Sequence, residues 1–173
     1  MNVVYAYSDA SYAQNGDHVH QRRSCTGYAL MMNGAAISWH SKLQSTRAGS
    51  TVHAEVNALY SCVCDIVGIR TILEFLGYAQ TAPSPIFEDS NGALKLAYRS
   101  EVDYKRSQSY DVAVWWIREF IEQGAVHAFL IPGNDNPADM LTKSLSQHAI
   151  LSYAPVLMGI ELAVASVGSQ CDS

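Results

Sequence analysis

CTGYALMMNGAAISWHS, residues 25–41, is two apolar runs joined by Asn33–Gly34. Asn-Gly between such runs is the strongest short hairpin signal, because both central residues of a type I′ turn need positive φ. The stretch therefore predicts two antiparallel strands. Upstream, the near-continuous apolar run Asn2–Tyr7 predicts a buried strand over residues 2–8. Residues 11–24, SYAQNGDHVHQRRS, are polar, carry a glycine and read as a loop. Three strands joined in this way predict one antiparallel meander.

Downstream the periodicity changes. KLQSTRAGS, residues 42–50, is a second polar loop. Val56, Leu59, Val63, Ile66 and Leu73 recur at helical spacing and predict a long helix from about Thr51 to Gly77. Pro83 and Pro85 mark a linker, PIFED a short strand and SNGALKLAYRS a short helix. After the charged loop EVDYKRSQ, SYDVAVWWIREFIEQG reads as an amphipathic helix ending at Gly124, and AVHAFLIPG as a strand. NDNPADMLTKSLSQ reads as a last helix, with Asn136 as its cap and Pro137 at its first position. The order β-β-β-α-β-α-α-β-α predicts an α/β fold. Its sheet is mixed and five-stranded, an antiparallel three-stranded meander plus two parallel strands, flanked by helices on both faces.

The 173 residues are 49% hydrophobic and 16% charged, which suits one compact domain with a real core and excludes a disordered chain. That domain is expected over residues 1–147. Residues 148–173 are expected as a C-terminal extension with an end free to be disordered. The formal charge of -5 argues against tight, unaided nucleic-acid binding. Cys25, Cys62, Cys64 and Cys171 form no C-x-x-C pair and read as free thiols of a reducing compartment. Met1 leads into Val3–Val4–Tyr5 without the basic start of a secretory signal. The apolar stretch Ala154–Val167 is broken by Glu161 and Ser166 and is too short for a bilayer, so no membrane partner is expected.

Four acids fall at predicted element junctions. Asp9 ends the first strand, Glu55 lies in the first turn of the long helix, Asp89 ends the fourth strand and Asp139 lies in the first turn of the last helix. Each has an ordinary explanation. Asp9 suits an Asx-turn, Glu55 the helix dipole, Asp89 a cap, and Asp139 an acidic capping box with Asn136. Together they suggest more, since packed like charges need a cation. Hard divalent ions such as Mg2+ take carboxylate oxygens, and a pair of them serves in-line phosphoryl displacement.

Several stretches carry a specific likeness. In order they are YSDASYA, RRSCTGYALMMNGAAISWHSKLQ, STVHAEVNALYS, FEDSNGALKLA, YDVAVWWIREFIEQG and IPGNDNPADMLTKSL. The chain resembles the ribonuclease H domain of copia-type (Pseudoviridae) retrotransposon Pol polyproteins, from about Val4 to Leu145, and the likeness extends to LMGI at 157–160. The resemblance implies a ribonuclease H-like fold and a metal-dependent endoribonuclease acting on the RNA strand of RNA–DNA hybrids during reverse transcription. It places the four catalytic, metal-binding acids on Asp9 in SDA, Glu55 in HAE, Asp89 in EDS and Asp139 in ADMLTK. It also implies two Mg2+ ions, with Mn2+ as a substitute, and products with 5′-phosphate and 3′-hydroxyl ends. The implied partners are the hybrid and a reverse transcriptase domain in the parent polyprotein. The isolated domain is expected to be a monomer, in a cytoplasmic retroelement particle or in the nucleus. The chain departs from the family pattern at His53, Ser90 and Gln108–Ser109, none of which removes an acid. A rival reading is a domesticated, non-catalytic module of the same fold that binds nucleic acid or protein. An integrase or exonuclease of this fold class is a third, against which ISWHSKLQ and ADMLTK speak.

Candidate substrate contacts are Ser11, Arg22, Arg23, Lys42, Ser90 and Asn91. The arginines and Lys42 suit phosphates, with His18, His20, Arg47, Lys105 and Arg106 as extensions of that surface. Ser11, Ser90 and Asn91 suit a 2′-hydroxyl. One of Trp115 and Trp116 is expected in the core and the other on the surface. His53 is expected on the helix surface and His127 as a structural strand residue.

Overall fold

The computed structural model describes residues 3–15, 23–98 and 111–160. Its sheet has five strands: β1 (Val4–Asn15), β2 (Arg23–Met32), β3 (Ala35–Leu43), β4 (Ser84–Glu88) and β5 (Val126–Leu130), in the order β3-β2-β1-β4-β5. β1 pairs antiparallel with β2, and β2 antiparallel with β3. β1 pairs parallel with β4, and β4 parallel with β5. The expected hairpin forms at Asn33–Gly34, with φ of 53° and 85°, the signs a type I′ turn requires.

Helix α1 (Thr51–Phe75) lies on one face of the sheet. Ser50 caps it, its Oγ accepting the His53 N–H at 3.1 Å. The predicted stripe of Val56, Leu59, Val63 and Ile66 is buried against Ala6, Leu30, Ile86 and Val126. Each fully buried aliphatic side chain contributes about 1.5–3 kcal/mol. α1 is long and apolar enough by composition to cross a bilayer, yet its first half is spent on the sheet. Helices α2 (Asn91–Tyr98) and α3 (Asp111–Glu122) complete this layer, and Arg118 of α3 donates to the Leu96 carbonyl of α2 at 2.6 and 3.0 Å. The other face carries Tyr5, Tyr7, Phe87 and Phe129 in a row, with ring centroids 5.2–6.0 Å apart. Helix α4 (Gln147–Met158) covers its β3 side. The domain boundary expected at residue 147 falls on the first residue of this helix.

Three expectations are corrected. β1 does not stop at residue 8. It runs to Asn15 along β2, with Ala10 opposite Thr26 and Ser11 opposite Cys25, so part of the expected loop is strand. β4 pairs with β1 only as far as Ser8–Glu88, and beyond that point β1 continues along β2, which is itself paired with β3. Ser8, Asp9 and Ser11 are polar although buried, and they hide the strand from the apolar pattern. Secondly, Glu55 is not in the first turn of α1 but one turn further in, buried towards the sheet. Thirdly, the last expected helix is two 3₁₀ turns, Gly133–Asp135 and Pro137–Leu141, followed by α4. Side chains of this segment bond to β1 rather than leaving the backbone to wind on as an α-helix.

Candidate active site

Asp9 lies within β1, not at its end, but it is the first residue past the parallel pairing with β4. Ser8 is opposite Glu88, so Asp9 and Asp89 follow side by side where β4 stops. That is the edge of the parallel part of the sheet, where open α/β folds keep their chemistry. On the other side Asp9 is opposite Gly27 of β2. A Cβ on Gly27 would come within 2.9 Å of Leu141 Cβ and closer still to the Thr142 methyl. The absence of a side chain lets the second 3₁₀ turn close over Asp9.

Asn136 fixes that turn. It is fully buried, donates Nδ2–H to the Ser8 carbonyl at 2.8 Å and accepts the Ala138 N–H on Oδ1 at 3.1 Å. One side chain thus caps the turn, as expected, and clamps it to β1 beside Asp9. Asn136→Ala leaves the Ser8 carbonyl and the Ala138 N–H unpaired in the interior. We expect a loss of about 2–4 kcal/mol in thermal unfolding and weaker metal binding, because Asp139 loses its support. A melting temperature within a degree or so of the parent's, on the scale of ~2–4 °C per kcal/mol, contradicts this.

The four acids meet here. Asp9 is 1% exposed and Glu55 6%. One oxygen from each of Asp9, Glu55 and Asp89 lies within 4.8 Å of the others. Asp139 joins through Lys143, whose Nζ donates to Asp139 Oδ1 at 2.7 Å and to Asp9 Oδ1 at 3.3 Å. The second Asp9 oxygen accepts a hydrogen bond from Thr142 Oγ1.

Electrostatics follow from this crowding. Burial, then the charges of Asp9 and Asp89, push the Glu55 carboxyl up to about 9, only partly offset by a backbone hydrogen bond from Ala10. Burial and Asp9 raise Asp89, and burial raises Asp139 despite its bond to Lys143. Burial works against the Lys143 ammonium, but its bond to Asp139 and the charge of Asp9 outweigh that and hold its pKa above the ordinary value. Behind the site Glu88 is fully buried, and burial and Glu55 hold its carboxyl well above the usual range. Its Oε1 accepts the Ser90 N–H at 3.2 Å and so ties the Asp89 turn. Glu55 Oε2 has no hydrogen-bond partner. Three converging carboxylates, one of them with a buried oxygen that has no hydrogen-bond partner, fit a hard divalent cation such as Mg2+ or Mn2+.

The expected substrate contacts are distributed more widely. Ser11 is buried beside Asp9, and its Oγ has no hydrogen-bond partner. Arg23 donates Nε–H to the Gln44 carbonyl at 2.6 Å and, with exposed Lys42, lines a groove shared with His40 and Asn57 of α1. Ser90 spends its hydroxyl on the Ala93 N–H at 3.2 Å as the cap of α2, and Asn91 is exposed at the start of that helix. Arg22, His18, His20, Lys105 and Arg106 lie outside the described residues. His53 is not on the helix surface. It is buried and its Nδ1 accepts the Gly49 N–H at 3.0 Å. Neither tryptophan is in the core: Ala113, Val114 and Ile117 take that face of α3, leaving Trp115 and Trp116 edge to face outside it. His127 sits at 4.5 Å from Phe129 on the aromatic face of the sheet. Reasoning from sequence missed Thr142, Lys143 and Glu88. The i,i+4 spacing of Asp139 and Lys143 was the available signal for the lysine.

Comparisons with known proteins bear on the fold and the family. No family model matches the chain. The fold matches solved ribonucleases H. With LC11-RNase H1, isolated from compost by a metagenomic approach, the TM-score is 0.61 at 16% identity, over 89% of this chain and 99% of that one. With the same protein in complex with an RNA/DNA hybrid it is 0.55 at 14% identity, over 80% and 93%. The fold is therefore that of ribonuclease H. In sequence, the chain is 36% identical over 146 residues to the retrovirus-related Pol polyprotein from transposon TNT 1-94 of Nicotiana tabacum. It is 31% identical over 152 residues to that from transposon RE1 of Arabidopsis thaliana. These matches cover 84% and 87% of this chain but 11% and 10% of the polyproteins, so the chain spans about a tenth of their length. The chain belongs to the copia-type retrotransposon Pol family, as its ribonuclease H domain.

Proposed function

We propose that this domain is a metal-dependent endoribonuclease that hydrolyses the RNA strand of RNA–DNA hybrids in retroelement reverse transcription. The observation that carries the reading is the convergence of Asp9, Glu55 and Asp89, with Asp139 tied to Asp9 across Lys143. Membership of a Pol family supports it, as does likeness to a ribonuclease H solved with an RNA/DNA hybrid. Asp9, Glu55, Asp89 and Asp139 are the residues that hold the ions. Two bound Mg2+ ions supply a water made nucleophilic near neutral pH and charge stabilisation at the leaving oxygen. The chain's own part is to hold four carboxylates on elements fixed by burial and hydrogen bonds. Asp9 is on the central strand, Glu55 on the core helix, Asp89 on a turn tied by Glu88, and Asp139 on a turn clamped by Asn136. In this reading Arg23 and Lys42 take phosphates, and Ser11 takes a 2′-hydroxyl. A formal charge of -5 gives a weak, salt-sensitive grip, so the reading includes a reverse transcriptase domain in the same polyprotein that adds binding surface. Its place is the cytoplasmic retroelement particle, or the nucleus.

A labelled RNA–DNA hybrid with Mg2+ or Mn2+, beside duplex DNA and duplex RNA, tests this. Cleavage confined to the RNA strand of the hybrid and lost in EDTA is expected. No cleavage by folded protein at any metal concentration moves the domain to the non-catalytic binding module or to a domain that needs its polymerase.

A further inference from the structure

We propose that Lys143 is the resident cation of the metal-free site: its ammonium holds Asp9 and Asp139 together and must leave them before a divalent ion can bridge that pair. The proposal rests on the metal-dependent reading above and extends it to the order in which the site fills.

The acids sort into two overlapping groups. Asp9, Glu55 and Asp89 present oxygens to one another directly. Asp139 is not in that group. It meets Asp9 through the Lys143 ammonium, at 2.7 Å on one side and 3.3 Å on the other. Asp9 is common to both, and its other oxygen is taken by Thr142, the neighbour of Lys143 on the same turn. An ion on Asp9, Glu55 and Asp89 can bind with Lys143 in place. An ion on Asp9 and Asp139 cannot, because the ammonium already occupies the space between their carboxylates.

The residue type suits the role. A lysine ammonium is a compact point charge on a flexible four-carbon stem, whereas an arginine fork would hold a carboxylate pair in fixed geometry. The Lys143 side chain is 29% exposed, so water is at hand when it withdraws. Buried Asp9 and half-buried Asp139 stay paired without metal, and the second ion binds more weakly than the carboxylates alone would dictate. The second site then fills only when ion concentration, or an added ligand on the ion, outweighs the ammonium.

Mn2+ binding to the whole chain without nucleic acid, read from loss of the free-ion magnetic resonance signal, tests this. The parent is expected to bind one ion tightly and a second weakly. Lys143→Met is expected to tighten the second by on the order of tenfold or more, with the first changed much less. Lys143→Arg, which keeps a cation there, stays close to the parent or binds the second ion more weakly. Second-site affinity unchanged or weakened in Lys143→Met overturns the proposal. No Mn2+ bound by the parent overturns the metal-dependent reading itself and this inference with it. Should Lys143→Met not fold, the parent still decides. Acetylation of Lys143, followed by mass spectrometry, is expected to quicken several-fold when Mn2+ is added, and an unchanged or slower rate overturns the proposal.

Discussion

Asp89→Asn is expected to lower metal-dependent cleavage of the hybrid by roughly 10²–10³-fold or more, while raising the melting temperature of the metal-free protein. The two effects have one cause. Asp89 is close to Asp9 and Glu55, and its carboxyl is raised by burial and by Asp9. An amide of the same size removes a charge that repels its neighbours and so relieves the metal-free fold. It also replaces one of three charged donors by a neutral amide oxygen, which holds a divalent ion more weakly. The turn itself survives, because the Ser90 N–H is held by Glu88 Oε1 and not by Asp89. A carboxylate that served only the fold would show the opposite pattern, activity and stability falling together. Hybrid cleavage rates and metal-free melting curves on one preparation separate the cases. Unchanged cleavage removes Asp89 from the site, and lost activity with a lower melting temperature makes it a structural acid.

What the residues disclosed in advance follows from how local each signal is. The Asn33–Gly34 hairpin, the apolar stripe of α1 and the cap at Asn136 depend on a few neighbouring residues, and all three stand in the structure. The four acids were found by position and by family likeness, although two of the positions were misjudged. Asp9 is within a strand and Glu55 is inside a helix, and what they share is nearness to the end of β4, a relation between distant residues. The polar half of β1 was hidden because Ser8, Asp9 and Ser11 are buried polar residues that break the apolar pattern a buried strand is read from. α4 was hidden because Pro155 interrupts a sequence with little helical contrast. Thr142 and Lys143 were in plain view within ADMLTK. Their bonds to Asp9 span 133 and 134 residues, and no local rule reaches that far.

Without divalent metal the melting temperature is expected to fall as pH rises from about 5 to about 9, by on the order of 10 °C, and saturating Mg2+ is expected to abolish or reverse that fall. Glu55 has an ordinary value of 4.5 and sits near 9 in the fold. Between those values the unfolded chain has released the proton and the folded chain still holds it. The folded state binds more protons, so stability declines with rising pH throughout that window. Glu88, Asp89 and Asp139 are raised as well and act in the same direction. The raised Lys143 adds stability that is lost only above its ordinary 10.5, outside the window, so it does not mask the trend. A bound divalent ion favours the ionised carboxylates and lowers their folded values. The folded state then gives up those protons first, and the sign of the slope changes. The same acids thus destabilise the metal-free domain at neutral pH and stabilise the loaded one. Melting curves across that range, with and without Mg2+, measure both slopes. A metal-free melting temperature that is flat or rises from pH 5 to 9 means the acids are ionised without metal, and identical slopes with and without Mg2+ mean the ion does not bind them.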